Sequence, residues 1–491
     1  MPSFESKVAV MNPWVLLLVV AGYFLLLIGL SYWTGREGNN ADFFIGSRKS
    51  PWYLVAYGMI GASLSGVTFL SVPGWVGSSS FSYLQMVLGY FLGYWIISKV
   101  LLPVYYKMEL TSIYGYLESR FGHSARLTGS LYFLLSRVIG ASFRLYLVAM
   151  VLQLFVFDAW NFPFWLTVSI TIFLIWVYTF KGGIRTIVWT DTLQTSFLLL
   201  AALLSVLWLG SDLIGENSWW NYLASHEKSQ VFFWEDAGDP KFFWRQFFSG
   251  ALITIVMTGL DQDMMQKNLS CKNLQEAQRN MKWFSWVLIG VNGLFLVLGL
   301  LLHEYAAKHG VTATGDALFP TVILQESGRP WLIVLFLIGL IAAAYSSADS
   351  ALTALTTSFC VDILGMVGEV GKSTRTLVHI FFSVLLMTVV IVFRYAIDDP
   401  HVIQNLFRAA GFTYGPLLGM FAFGMLSKWQ LRSSWWIPLA CLLSPLISWS
   451  IDAWLKRDFG FALGFEVLAL NGALTILLLI IGIIPKRRLN S

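Results

Sequence analysis

Arg137, Arg144, Asp191, Asp349 and Arg408 are ionisable side chains that stand inside largely apolar stretches of the chain. Ionisable groups at membrane depth are costly and usually functional. Asp191 and Asp349 present anionic oxygens suited to a cation. Arg137 and Arg144 are seven residues apart, so on a helix they share one face. A guanidinium is a planar fork that fits a carboxylate or a phosphate. The competing roles are an internal ion pair or a side chain snorkelling to an interface, and the stretch around Arg137 is long enough for that residue to reach water. Bond-making chemistry has less to work with. His303 and Glu304 are adjacent but have no second histidine to complete a metal site. The glycine-rich segments lie within apolar stretches, not in a phosphate-binding loop. These features argue against an enzyme.

The elements that must hold these groups are helices crossing a bilayer. The chain has 491 residues, of which 57% are hydrophobic and 12% charged, against about 25% charged in a soluble domain. Mean hydropathy is +0.68. The apolar residues come in blocks, and a block of ~20 spans the hydrocarbon core as a helix. Lipid leaves no partner for unpaired backbone groups, which favours helices over open strands. We count about thirteen such blocks, starting with 13–34. The first block has no basic leader or A-x-A-like cleavage site before it and is expected to be a spanning helix. Lysines and arginines gather in alternate short loops, 35–50, 107–124, 181–185, 267–281, 365–373 and 428–433, and in the tail. The positive-inside rule then sets the N-terminus outside and the C-terminus in the cytoplasm. The lipid bilayer is the expected environment, and the 22 tryptophans suit its interfaces. No basic patch with interleaved aromatics suggests nucleic acid. Cys271, Cys360 and Cys441 have no metal or disulfide spacing and are expected to pack. No obligatory protein partner is evident.

Two spans are rich in small and helix-breaking residues. One runs GMIGASLSGVTFLSVPG from Gly58 to Gly74, and the other holds Gly250, Thr254, Thr258 and Gly259. They lie five spans apart. Broken helices at matching places of two repeats point to a transporter's central site. The alternative is close helix packing through small residues.

Three segments carry a family resemblance. KGGIRTIVWTDTLQ (Lys181 to Gln194) resembles the GG-x(4)-V-x-TD-x-x-Q signature of the sodium:solute symporter family. LIAAAYSSADSALTALTTSFCVDIL (Leu340 to Leu364) resembles its Ser-Ser sodium-site helix. LDQDMMQKNLSCKNLQEAQRN (Leu260 to Asn280) resembles its DQ-x-x-x-Q loop. The resemblance covers nearly the whole chain. It implies an all-α polytopic membrane protein with the leucine-transporter-type five-plus-five inverted repeat. The divisions would be a leading helix 13–34, repeats 51–212 and 243–427, and two trailing helices in 434–484.

It also implies a Na⁺-coupled symporter that imports a small polar organic solute by alternating access. Na⁺ is a hard cation and prefers oxygen. Carried over by motif, its ligands are the carbonyls of Gly61, Leu64 and Ala343 and the hydroxyls of Ser346 and Ser347. Gly61 and Gly66 would make helix unwinding cheap. The serines can instead bond back to their own helix. In family members with a second sodium, the residue matching Asp191 helps to bind it. The hydroxyl positions one turn beyond the serine pair are here Asp349 and Ser350, a departure from the pattern. Either a second ion sits among Asp191, Ser346, Asp349 and Ser350, or Asp349 pairs with an arginine such as Arg185. The stoichiometry stays open between one and two Na⁺. One charge crossing ~100 mV releases about 2.3 kcal/mol, enough for roughly 50-fold accumulation of a neutral solute.

For the solute, the resemblance points to Ser63, Ser65 and Thr68 on the broken helix, with Gln85 and Thr254 from neighbouring spans. Arg408 aligns with a polar substrate-contacting position of sugar-transporting relatives. We expect Arg144 or Arg408 to meet an anionic solute, such as a sugar acid, sialic acid or monocarboxylate, with a sugar as the neutral possibility. The rival functions are a H⁺-coupled symporter resting on Asp191 and Asp349, and a sensor or channel of the same fold.

Overall fold

The structure is a computed structural model. It describes residues 12–34, 44, 46–179, 183–215, 217–325, 329–366, 371–396, 402–429, 431, 435–461 and 463–483. The helices run in the order α1 (Pro13–Thr34), α2 (Trp52–Ser63), α3 (Gly66–Ser79), α4 (Tyr83–Lys107), α5 (Gly115–Phe121), α6 (His123–Leu152), α7 (Phe164–Thr179), α8 (Gly183–Leu213) and α9 (Trp219–Ser225). They continue with α10 (Phe243–Thr254), α11 (Gln262–Leu269), α12 (Leu274–His309), α13 (Leu318–Gln325), α14 (Pro330–Ser358), α15 (Lys372–Ala396), α16 (Val402–Leu426), α17 (Trp436–Phe459) and α18 (Val467–Ile481). No strand of a sheet occurs among the described residues. Among the described residues, nine helical stretches are long and apolar enough to cross a membrane, and the bent pair α2–α3 makes a tenth. The remaining expected spans coincide with shorter helices, the apolar α7 and α18 and the 12-residue α10.

Two helices are broken, five spans apart. Between α2 and α3 the axis bends by 58°. The break falls at Leu64 (φ −86°, ψ 84°) and Ser65 (φ −81°, ψ 177°). This corrects the expected use of the glycines. Gly61 lies inside α2 and Gly66 opens α3, so neither is the unwound residue. Their role is clearance: a Cβ on Gly66 would stand 2.9 Å from Val148, and one on Gly61 would collide with Thr195 Oγ1. The second break follows α10, which widens into a π turn over Ile255–Gly259 and stops at Leu260 and Asp261 before α11 begins. Asp261 caps α11 by accepting from the amides of Asp263 (3.0 Å) and Met264 (3.4 Å).

Small residues also let α4 and α10 touch backbone to backbone. A Cβ on Gly89 would collide with the Phe247 carbonyl, and one on Gly250 with the Met86 carbonyl. Overpacking such a contact costs typically ~1–3 kcal/mol. Gly89→Val is therefore expected to lower the thermal unfolding midpoint of the detergent-purified protein. A midpoint equal to wild type would show that the two helices are not in contact there.

The end of the bundle where α14 stops is laced by ions that sequence reasoning did not pick out. Asp362, just past α14, accepts from Ser112 (2.6 Å), Ser358 (2.8 Å) and Arg126 Nε (3.0 Å). The Arg126 guanidinium also reaches Glu118 at 2.5 Å, tying α5 and α6 to the end of α14. The three cysteines are free and buried.

Candidate functional site

The break between α2 and α3 faces α8 on one side and α14 on the other. Among the described residues, no backbone amide is recorded as bonding to the Gly61 or Leu64 carbonyl. Neighbouring helices satisfy other groups near the break, as membrane-depth backbone requires. The Gly61 amide donates to Thr195 Oγ1 of α8 at 3.1 Å. Ser347 Oγ donates to the Ala62 carbonyl at 3.3 Å and more weakly to the Ala343 carbonyl at 3.5 Å. Ser346 Oγ lies 3.4 Å from where a Cβ of Gly61 would stand. The residues expected to hold Na⁺, namely Gly61, Leu64, Ala343, Ser346 and Ser347, therefore gather at one helix break. They offer neutral oxygens, and this donor set fits a hard monovalent cation.

The carboxylates take a different form from the one expected. Lys267 does not belong to a cytoplasmic loop. It lies on α11 with 1% of its surface exposed, and its Nζ sits 2.6 Å from Asp191 Oδ2. The other oxygen of Asp191 accepts from Ser346 Oγ at 2.6 Å. Asp349 accepts from the Tyr178 hydroxyl at 3.0 Å and from Ser350, whose amide is at 2.6 Å and whose hydroxyl is at 3.3 Å. The arginine raised as a partner for Asp349, Arg185, has a side chain outside the described residues. The lysine escaped notice because its neighbourhood (QKNLSCK) reads as a polar loop. Only the return of α11 beneath the broken helix brings it to Asp191.

Loss of one oxygen from the cation site has a measurable effect. A hydrogen-bond-strength contact to a charged group contributes about 1.5–3 kcal/mol, or roughly tenfold to a hundredfold in affinity. Ser347→Ala is expected to raise by at least about tenfold the NaCl concentration that gives half-maximal thermal stabilisation. An unchanged Na⁺ dependence would remove Ser347 from the site.

A cavity adjoins the same break. Ser63, Ser65 and Thr68 line it from the broken helix, Arg137 and Arg144 from α6, and Thr254 and Thr258 from the α10 segment. Tyr83, Tyr90, Tyr94 and Asn292 complete the polar wall. The tyrosines were legible as a face of α4, since spacings of seven and four put them on one side. The two arginines differ. Arg137 forms an ion pair with Asp263 and stands 3.7 Å from Asp261. Arg144 is 8% exposed, has no ion pair among the described residues, and its Nε has no hydrogen-bond partner. Asp261 is further held by the Tyr414 hydroxyl.

Two expected solute contacts are not brought to the cavity. Gln85 points to the loop between α9 and α10, donating to the Lys241 carbonyl at 2.8 Å and accepting from the Phe233 amide at 3.2 Å. Its side chain pins the loop before α10. Arg408 is 52% exposed and pairs with Asp452 of α17 at 3.0 Å. This pairing with α17 directs it away from the cavity lining.

A multi-pass bundle with a broken helix, a group of oxygens at the break and a polar cavity beside it defines the class of secondary transporters with discontinuous helices. The chain belongs to the sodium:solute symporter family, whose model matches residues 43–430. It is 27% identical over 433 residues to the human sodium/iodide cotransporter, covering 83% of this chain and 65% of that protein's length. It is 25% identical over 439 residues to the sodium/sialic acid symporter of Proteus mirabilis, covering 84% of each. The fold matches a substrate-bound, outward-open Na⁺-coupled sialic acid symporter with a TM-score of 0.79 at 20% identity, covering 95% of this chain and 97% of that one. Mhp1, a nucleobase-cation-symport-1 family transporter, matches with a TM-score of 0.53 at 14% identity, covering 90% of this chain and 94% of that one.

Proposed function

We propose that the protein is a Na⁺-coupled symporter that carries a small anionic organic solute into the cell by alternating access. The observation behind this reading is Arg144, a buried guanidinium without an ion pair among the described residues, which lines a cavity opening onto the helix break. A buried charge needs a partner. Na⁺ at the adjacent break attracts an arriving anion, and the bound anion in turn attracts Na⁺. That mutual dependence is a physical basis for coupling, since each ligand lowers the electrostatic cost of binding the other. Sialic acid, for which the Proteus mirabilis relative is named, is a carboxylate, and a guanidinium fork binds a carboxylate well. Ser63, Ser65, Thr68 and Thr254 would take its hydroxyl or carbonyl groups.

In this reading 51–212 and 243–427 are inverted repeats whose relative motion opens the site to each side in turn. The N-terminus lies outside and the C-terminus in the cytoplasm. The test is uptake into proteoliposomes under an inward Na⁺ gradient, with Na⁺ replaced by choline at fixed pH. Labelled lactate, sialic acid, glucuronate and glucose form the panel. Uptake of an acid that choline abolishes is the expected result. Uptake of glucose alone would overturn the anion assignment, and uptake that persists in choline would overturn sodium coupling.

A further inference from the structure

We propose that Lys267 is a tethered cation that occupies the cation position at Asp191, so that the chain binds a single Na⁺, at the break between α2 and α3. The inference rests on the symporter reading and adds the ion count to it.

The argument begins with charge. Asp191, Asp349 and Lys267 form a buried group at the centre of the bundle, and each is 1% exposed or less. Both carboxylates act only as acceptors. Asp191 accepts hydrogen bonds from Ser346 Oγ and from Lys267 Nζ, and Asp349 accepts them from Tyr178 and Ser350. Lys267 already places one positive charge against Asp191. A Na⁺ there as well would set two cations against one carboxylate at a depth where unbalanced charge is expensive.

Geometry agrees with the charge count. Both oxygens of Asp191 are engaged, one by the ammonium at 2.6 Å and one by Ser346 at 2.6 Å. A Na⁺ on Asp191 would have to displace Nζ, and the lysine has no room to leave. Its helix is buried throughout, from Gln262 to Leu269. The ammonium serves the site at the break in a second way. By holding Asp191 as a carboxylate, it makes Ser346 the donor in their hydrogen bond. The lone pairs of Ser346 Oγ are then left for Na⁺ beside Gly61. Lys267 thus fixes both the number of ions and the orientation of one ligand, though it does not touch the ion. It is a positioning residue.

The experiment counts ions at equilibrium on the purified full chain, with radioactive ²²Na⁺ and choline chloride holding ionic strength constant. Wild type is expected to bind one Na⁺ per chain with a Hill slope of one. Lys267→Gln frees Asp191 and is expected to bind two, with a slope rising toward two. Asp191→Asn combined with Lys267→Gln removes both charges, keeps hydrogen-bonding side chains of similar size and is expected to return to one ion at near-wild-type affinity. Two ions on wild type would overturn the proposal. So would Lys267→Gln remaining at one. If Lys267→Gln does not fold, the double variant decides: one ion supports the proposal, and no ion means that Asp191 itself ligates the coupled Na⁺. No Na⁺ on wild type would remove the symporter reading and this inference with it, whereas two would remove this inference alone.

Discussion

Arg144→Gln is expected to abolish solute binding at concentrations that saturate wild type, without unfolding the protein. Truncating one partner of a buried, hydrogen-bonded charge pair costs about 2–5 kcal/mol. At ~1.4 kcal/mol per tenfold, that is about 30-fold to a few thousand-fold in affinity. The stability prediction has the opposite sign. Without solute, Arg144 is a buried cation with no ion pair among the described residues, and groups kept for binding are often held at the expense of stability. The thermal midpoint of the solute-free variant is therefore expected to equal or exceed that of wild type. Arg144→Lys keeps the charge but loses the fork and should fall between the two in affinity. Na⁺-dependent binding and uptake of the identified acid, together with midpoints in detergent, measure both effects. Unchanged affinity would show that the guanidinium does not meet the solute. Lost affinity with a collapsed midpoint would make Arg144 a packing residue.

Asp191→Ala is expected to have the largest effect on stability. It leaves the Lys267 ammonium buried at 1% exposure with no carboxylate 2.6 Å away. Removing one partner of a buried pair costs about 3–5 kcal/mol, a large part of the ~5–15 kcal/mol that holds a typical domain folded. Low yield and a strongly reduced midpoint are expected. Asp191→Ala with Lys267→Met removes both charges and should recover most of the loss, because the cost comes from the orphaned ion and not from the missing contact. If the single variant is as stable as wild type, or if the double variant is worse, the pair does not stabilise this core.

Much of the transporter was legible before any coordinates. Arg137 and Arg144 were placed on one helical face by their spacing of seven, and both line the cavity. The serine pair and the glycine-rich span were singled out together, and they meet at the break. Other readings failed for identifiable reasons. Gly61 and Gly66 were taken as the flexible points, yet the chain bends at Leu64 and Ser65. A glycine is as useful for close approach as for unwinding, and sequence cannot tell the two apart. Gln85 and Arg408 were assigned to the solute by span and motif, but polar partners in the loop between α9 and α10 and in α17 hold them elsewhere.

The deepest difference concerns Lys267. Hydropathy and helical period are properties of neighbouring residues, so the sequence alone determined the membrane class, the approximate spans and the two interrupted helices. Family motifs added the oxygen ligands expected at the first break. Which charge neutralises which is set by contacts between residues far apart in the chain, and only the tertiary structure decided that. Asp191 and Lys267 are 76 positions apart, and a lysine in a polar stretch looks the same whether it faces water or a buried carboxylate. The fold turns α11 inward behind the second break. That turn converts an apparent loop lysine into the counter-ion of Asp191 and leaves Arg144 as the cavity cation without an ion pair among the described residues.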